Sequence, residues 1–552
     1  MTDDADAVQP QVEEPSDAAK VSDADKVAIA TPLLAFSVLL LALVPFFAWA
    51  GRGEWFEHDD WDYLVQRKAG DLGDLMRPHN GHWETIPVLV YRAVWSLFGL
   101  TYRPFQAVSI GLSLVGAAVF LVVLLRAHIR PWIALITATL LVLFGPAQSN
   151  VALKVTSITF VGFAVPLGLL QLLLADHDGP RDRRDWFGLA AGLAAVLCSS
   201  VAVAMLFVVG VAMLLKRGWR VAAFHVLPPA TAFVVWFAAI GHKDLGAGQP
   251  ARLRPVPAAI HFASVLVTGT FEALTRTSRI GGALVIVLLI AFVVGLRRSS
   301  PERRREGAVP AAMLLGAFVF AFETGLGRSD LLSQGASAVR AGHYMDVVAY
   351  LALPAVAFLA EEVVRRWRAV LPVLVVLFLV AVPLNVHELV THENARAPRL
   401  ALFRNTLLLI PRLPVAHAVP SAVEPFKGVA SPVTVGWLLR AARQGKLPQP
   451  HITSVNTVVA TLRISLLVAG GRVTPCHPWR GPVVRHLEKG TSFRFRGAGV
   501  QVAYLSGGRA VTSLTFTTSS RPAAWRVTDV GAPMTLRFTR VSSARPAPMV
   551  CT

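Results

Sequence analysis

The chain has 552 residues, of which 54% are hydrophobic and only 16% charged. Soluble domains carry about 25% charged residues, so this composition excludes a purely soluble protein and indicates an integral membrane protein long enough for several spans and a soluble domain. The net charge is +19 and is concentrated late, since from Asn385 onward 21 lysines and arginines face five acids; that suits an anionic membrane surface or anionic polymer and, on an outer face, excludes nucleic acid as the natural partner.

In chain order, residues 1–27 are acidic, lack aromatics and read as a disordered cytoplasmic tail. They have no basic n-region, so the apolar run 28–50 is expected to be a retained first span. Directly after it stands EWFEHDDWDYL (54–64), with five carboxylates: Glu54, Glu57, Asp59, Asp60 and Asp62. Acids are tolerated on the outer side of a membrane, so a solvated interfacial cluster would account for them. Neighbouring carboxylates also suit glycosyl transfer, where one takes the proton of an attacking hydroxyl and a second orients the acceptor or holds a metal. In a helical DDWDYL, Asp59 and Asp62 share a face and Asp60 points elsewhere. The loop MRPHNGHWETIP (76–87) then groups Arg77, His79, His82 and Glu84 around an Asn-Gly turn. Such a loop can set cationic and hydrogen-bonding groups beside a phosphate or sugar. Segment 84–100 is apolar but short, and reads as an amphipathic helix lying in the outer interface.

Apolar runs at 104–125, 131–148, 156–175, 221–241, 280–296, 308–324, 344–364 and 369–384 each approach the ~20 residues needed to cross a bilayer. The run 187–215 is long for one helix and short for two. Basic segments on both its sides, RDRRDW (181–186) and KRGWR (216–220), require a hairpin of short helices or a re-entrant pair. Residues 256–274 read as interfacial or re-entrant. With the N-terminus inside and about eleven spans, the basic loops 126–130, 181–186, 216–220, 297–306 and 365–368 all fall inside. Loops 51–103, 149–155, 242–279 and 325–343 then face out, as does everything after 385. Lys154 and Arg340, with His343 and Tyr344, are thereby expected on the outer side.

Beyond 385 a helix is expected at 433–445, and from about 452 β-type runs begin, starting with TSVNTVVATLRISLLVAG and continuing through GAGVQVAYLSGG and AVTSLTFTTSS. A small antiparallel β domain follows from that alternation. Cys198 reads as a small buried hydrophobe; Cys476 and Cys551 both fall in the outer domain and are a disulfide candidate there. No phosphate-binding loop, nucleophile elbow or zinc-protease motif is present. Ionisable residues within spans are few, which weighs against a proton-coupled transporter.

An acid pair just after the first span, a juxtamembrane stretch, a P-H loop, an interfacial helix ending WSLFGLTYRPFQ and a span ending LLRAHIRPWIALITATLLVLFG follow one another over residues 28–175. This order resembles the GT-C superfamily of polytopic membrane glycosyltransferases, the group of the protein O-mannosyltransferases and the aminoarabinose lipid A transferases. HNGHWETIP stands here where that group has H-P-P-L, and GASAVRAGHYMDVVAYLALPAVAFL (335–359) resembles its late R-Y…lP…L segment. The resemblance implies a GT-C-like transmembrane domain over 28–384 and a basic, extracytoplasmic, β-rich domain over 385–552, in a bacterial cell membrane. It implies an inverting transfer of a sugar from a polyprenyl-phosphate donor to a hydroxyl on a glycan, lipid or protein, with membrane lipid as a further partner. Asp59 or Asp60 would be the general base. Arg340, Arg77 or Lys154 would stabilise the departing phosphate. Asp62, His79, His82, Glu84, His343 and Tyr344 would contact substrate. Some members place a divalent metal, Mg or Mn, at such an acid pair, so Asp59 and Asp60 are also the metal candidates. A flippase for lipid-linked glycan and a non-catalytic scaffold are the two other classes compatible with the sequence.

Overall fold

The computed structural model describes residues 23–552, except 245–254, 418, 420, 427–428, 466–475, 479–481, 488–492, 497–499, 507–508, 517–523, 528–533, 541–548 and 552. The expected tail lies outside the described residues up to 22; from Asp23 the chain is already helical, in Asp23–Ala50. Eight helices among the described residues are long and apolar enough to cross a membrane, nine if the bent pair Pro131–Val142 and Gly145–Val151 is one span. The chain is thus built as a multi-pass membrane protein.

The smaller count than the expected eleven has local causes. Run 156–175 opens with a π-helical turn, Ile158–Gly162, which leaves only the 12-residue helix Ala164–Ala175. Run 187–215 divides into Arg183–Val196 and Val201–Arg217, a hairpin of two short helices as the flanking charges require. Residues 256–274, expected to be interfacial or re-entrant, instead form the helix Val256–Thr275, which is long enough to cross. Thr85–Phe98 is short and buries one side through Val88, Tyr91 and Trp95 while Leu97 and Phe98 stay exposed, as an interfacial helix does. The bend in the pair 131–151 measures 61°. Gly145, just after the bend, lets the chain pack against Asn385, because a Cβ there would sit 2.0 Å from the Asn385 carbonyl.

The five basic loops gather at one end of the bundle. Arg303 donates to the His128 carbonyl and pairs with Glu362, Arg130 pairs with Glu361, Arg305 with Asp178, and Arg217 with buried Asp185. The acid loop and its partners occupy the other end.

The helix begun at Leu371 does not stop near 384. It runs to Leu409, 39 residues, and carries His392, Glu393 and Arg396 up to the acid loop. Its far half packs into a second aromatic-rich core. There Phe403, Leu407 and Leu408 meet Trp55, Phe56, Trp61, Tyr63 and Tyr91, together with Val433, Leu438, Ala460 and Ile464. The helix expected at 433–445 is Val435–Arg443. The first β-type run is corrected: Ser454–Ser465 is a helix. Its β-branched residues suggest strand, but Thr457 and Thr461 bond the carbonyls of Thr453 and Thr457 one turn back, and Ala460 and Ile464, four apart, enter the core. Tertiary packing overrides propensity here. Further on lie two four-stranded antiparallel sheets. One orders Cys476–Pro478, Met549–Cys551, Phe493–Arg496 and Ala524–Val527; the other orders Val483–Leu487, Met534–Arg540, Val500–Ser506 and Arg509–Phe516. In the first, Cys476 and Cys551 are facing Cα partners.

Candidate active site

The acid loop is shaped by consecutive turns. Asp60, Trp61 and Asp62 donate their amides to the carbonyls of Glu57, His58 and Asp59, and a π-helical turn, Asp62–Gln66, continues them. Buried Trp61 and Tyr63 anchor the loop, while the acids beside them, Asp59, Asp60 and Asp62, face two ways. Asp60 turns inward: one oxygen accepts from Tyr91 (2.6 Å) and Thr156 (2.9 Å), the other from the Glu57 amide (2.9 Å). Burial raises Asp60 to about 6 against these donors. Asp59 and Asp62 face the other way, onto His79, at 3.6 and 3.2 Å.

His79 is delivered by a two-residue hairpin in which His79 and His82 exchange both backbone bonds. Asn80 (φ 52°) and Gly81 (φ 83°) both lie in the left-handed region, which Asn-Gly supplies most readily. Burial alone would lower His79, but Asp59 and Asp62 raise it to about 10, so it is an imidazolium at neutral pH. Burial likewise pushes Asp59 up, yet His79, with further charge from His58 and Arg328, outweighs it and holds the carboxyl below its ordinary value. The Asp59 side chain is 45% exposed. It is therefore the one carboxylate of the adjacent pair that is both ionised and reachable.

Asp62 is held down to about 2 by His79 and Arg67 in spite of burial. Arg67 is buried and fully used: it binds Asp62 at 2.8 Å and the carbonyls of Asp74, Arg77 and Pro78. Arg77 reaches Asp62 at 3.4 Å and stays 41% exposed. Glu84 is buried and raised to about 8 by that burial, and receives the Tyr63 hydroxyl. The Tyr63 ring lies 5.1 Å from His79. Glu84 thus supports the site from beneath. Burial, then the charges of Arg328 and His79, lower His82 to about 3. Its Nδ1 accepts from the Ser200 amide and lies 2.6 Å from the Ser200 hydroxyl, which fixes the loop to the turn between the two short helices.

Of the expected cations, Lys154 acts on both Glu54 and His343. Arg340 is engaged elsewhere: it lies across Gly269 and pairs with Glu272 at 3.0 Å. Arg328, which no motif marks, is the cation whose charge reaches Asp59, His82, His343 and Tyr344, and it donates to the Asn80 carbonyl. His343 and Tyr344 stand edge to face, centroids 4.2 Å apart. The site therefore gathers Asp59, Asp62, His79, Lys154, Arg328 and His343, with Asp60, His82 and Glu84 as buttresses.

Glu54 and Glu57 have a partner that sequence reading missed. Arg396 bonds both, and lies 3.8 Å from Glu393. Burial, then Glu393, raise Glu54 to about 9. Arg396 sits 339 residues from Glu57, so only the unbroken helix 371–409 reveals the contact.

In the acid pair both Asp60 oxygens accept from protein donors, and Asp59 faces His79. Among the described residues, His177, Asp182 and Asp185 present three ligand atoms close together, at the basic end. There Arg217 and Arg184 already hold the carboxylates.

The sequence matches no family profile and no curated protein. Among solved structures the chain is similar to the crystal structure of ArnT from Cupriavidus metallidurans bound to undecaprenyl phosphate, over 90% of this chain and 99% of that one, at 16% identity and a TM-score of 0.43.

Proposed function

We propose that the chain is a membrane glycosyltransferase that moves a sugar from a polyprenyl-phosphate donor to a hydroxyl acceptor with inversion, with Asp59 as general base. The observation that carries this reading is Asp59 itself: a reachable carboxylate, held ionised beside His79 and within the field of Arg328. Asp59 takes the acceptor proton as the hydroxyl oxygen bonds to the anomeric carbon. The bond from that carbon to the phosphate oxygen breaks on the opposite face, and its electron pair leaves with the polyprenyl phosphate. Lys154 and Arg328 balance the charge on that phosphate, as cationic clamps do in other transfers. A phosphate leaves as an anion and needs no acid, so one base suffices. His79 orients Asp59 and keeps it charged. Asp60, closed by three donors, fixes the loop.

The test is transfer from polyprenyl-phosphate sugar in membranes carrying Asp59→Asn or Asp60→Asn. Positioned base catalysis contributes about 10²–10⁴-fold, and Asp59→Asn should lose that much. Asp60→Asn, which can still accept from Tyr91 and Thr156, should lose far less. Full activity of Asp59→Asn at normal expression refutes the assignment.

A further inference from the structure

Beside His79 the acid loop borders a cleft of about 570 Å³, lined by Gln66, Asp71, Asp74, Arg77 and Lys243 together with Asp62. Its volume falls in the range of small-molecule sites, about 300–1,000 Å³. We infer that this cleft seats the acceptor, and that the acceptor is a neutral oligosaccharide; the inference rests on the transferase reading above.

Charge argues first. The lining interleaves three carboxylates (Asp62, Asp71, Asp74) with four cations (Arg67, Arg77, Lys243 and the His79 imidazolium), so neither sign has the wall to itself. A polyanion would meet the carboxylates and a polycation the guanidiniums, whereas an uncharged ligand meets neither penalty. Side-chain identity argues second. Pro78 and Ile240 stand among polar and charged side chains, a mixed wall that suits a sugar, whose faces alternate C–H and O–H groups. Hydrogen-bonding capacity argues third. Arg67 is consumed by Asp62 and by three carbonyls, but Gln66, Asp71 and Lys243 are exposed and Arg77 is partly so. Amides, cations and carboxylates set side by side match hydroxyls, each of which donates and accepts. The walls are firm: the Trp236 indole donates to the Met76 carbonyl at 2.9 Å and stacks on Trp83, which ties the helix leading to Ile240 and Lys243 to the loop. Position argues last. His79 lines the cleft and touches Asp59, and Asp59 in turn feels Arg328. The cleft and the base therefore share the His79 ring as their common border, 3.6 Å from Asp59.

The experiment uses the full chain in lipid nanodiscs against an array of neutral oligosaccharides, with a sulfated polysaccharide and phospholipid vesicles as comparators. At least one neutral oligosaccharide should bind saturably. Losing one hydrogen bond to a charged group is worth about 1.5–3 kcal/mol, so Asp71→Ala or Lys243→Ala should weaken that binding about tenfold or more. Undecaprenyl phosphate binding should not change in either variant, and Lys243→Ala should melt as the wild type does, while Asp71→Ala gives up its cap on the Gly73 amide and melts slightly lower. The inference is overturned if no neutral oligosaccharide binds, if the sulfated polymer or vesicles bind in its place, or if the cleft variants bind as the wild type does. Asp59→Asn separates the two claims: it should keep saccharide affinity while losing transfer. Saccharide binding that depends on the cleft, in a wild-type chain that transfers nothing, supports the cleft and defeats the transferase reading.

Discussion

Replacing His79 by Gln removes the cation between Asp59 and Asp62 and leaves two carboxylates facing each other. The effect on Asp59 follows from the geometry. At the 3.6 Å separation, unit charges attract by about 1 kcal/mol in water and about 4.6 kcal/mol at an effective dielectric constant of about 20. An exposure of 45% places the site between those limits. At about 1.4 kcal/mol per pKa unit, Asp59 should rise by about one to three units. In the wild type its carboxyl lies below the ordinary value, so rising pH switches activity on early. Asp59 stays ionised when His79, at about 10, loses its proton, so the acidic limb is the one that reports the pair. The assay is kcat/KM for transfer against pH. In His79→Gln the acidic limb should move up by about one to three units. A uniform loss of activity with that limb unmoved would show that His79 only shapes the loop, and the electrostatic reasoning would fail. Stability follows the same sign. The raised His79 contributes fully below about 6.5 and loses its contribution as pH passes about 10.

Arg328→Ala should raise the KM for the polyprenyl-phosphate donor, whereas Arg340→Ala should lower the denaturation midpoint and leave donor KM near wild type, because Arg340 is paired with Glu272; steady-state kinetics and thermal denaturation separate the two. Arg396→Ala removes the cation paired with Glu57 and a donor to buried Glu54, which its raised pKa of about 9 leaves neutral, and losing hydrogen bonds of a charged group typically costs about 1.5–3 kcal/mol. The melting point should fall, and kcat with it, with part of both restored by Arg396→Lys. Cys476 and Cys551 are facing backbone partners in adjacent antiparallel strands. Peptide mass mapping without reductant should recover the two cysteines as one linked species.

Much of the membrane architecture was legible because hydrocarbon length and loop charge are local signals. The hairpin 183–217 was readable from basic residues at both ends, and the NG turn from its demand for positive φ at Asn80 and Gly81. The split of the acids into Asp59 and Asp62 against Asp60 was legible from helical spacing alone. What the sequence hid is long-range. Nothing local distinguishes Arg328 from any arginine at a helix end, nor shows that Arg340 is taken by Glu272, 68 residues earlier in the chain. The continuation of helix 371–409 past Pro383 and Pro398 was obscured by prolines that usually end helices. The same propensity reasoning failed at 454–465, where β-branched residues pack as a helix because Ala460 and Ile464 fill the aromatic core.

The most direct measurement is product analysis with the purified chain in proteoliposomes, supplied with a polyprenyl-phosphate sugar in the outer leaflet and a neutral oligosaccharide in solution. The account predicts one polyprenyl phosphate released for each sugar transferred, with the new linkage inverted at the anomeric carbon and the reaction lost in Asp59→Asn. Movement of intact donor across the bilayer with no new glycosidic bond, or a product of retained configuration, would contradict it.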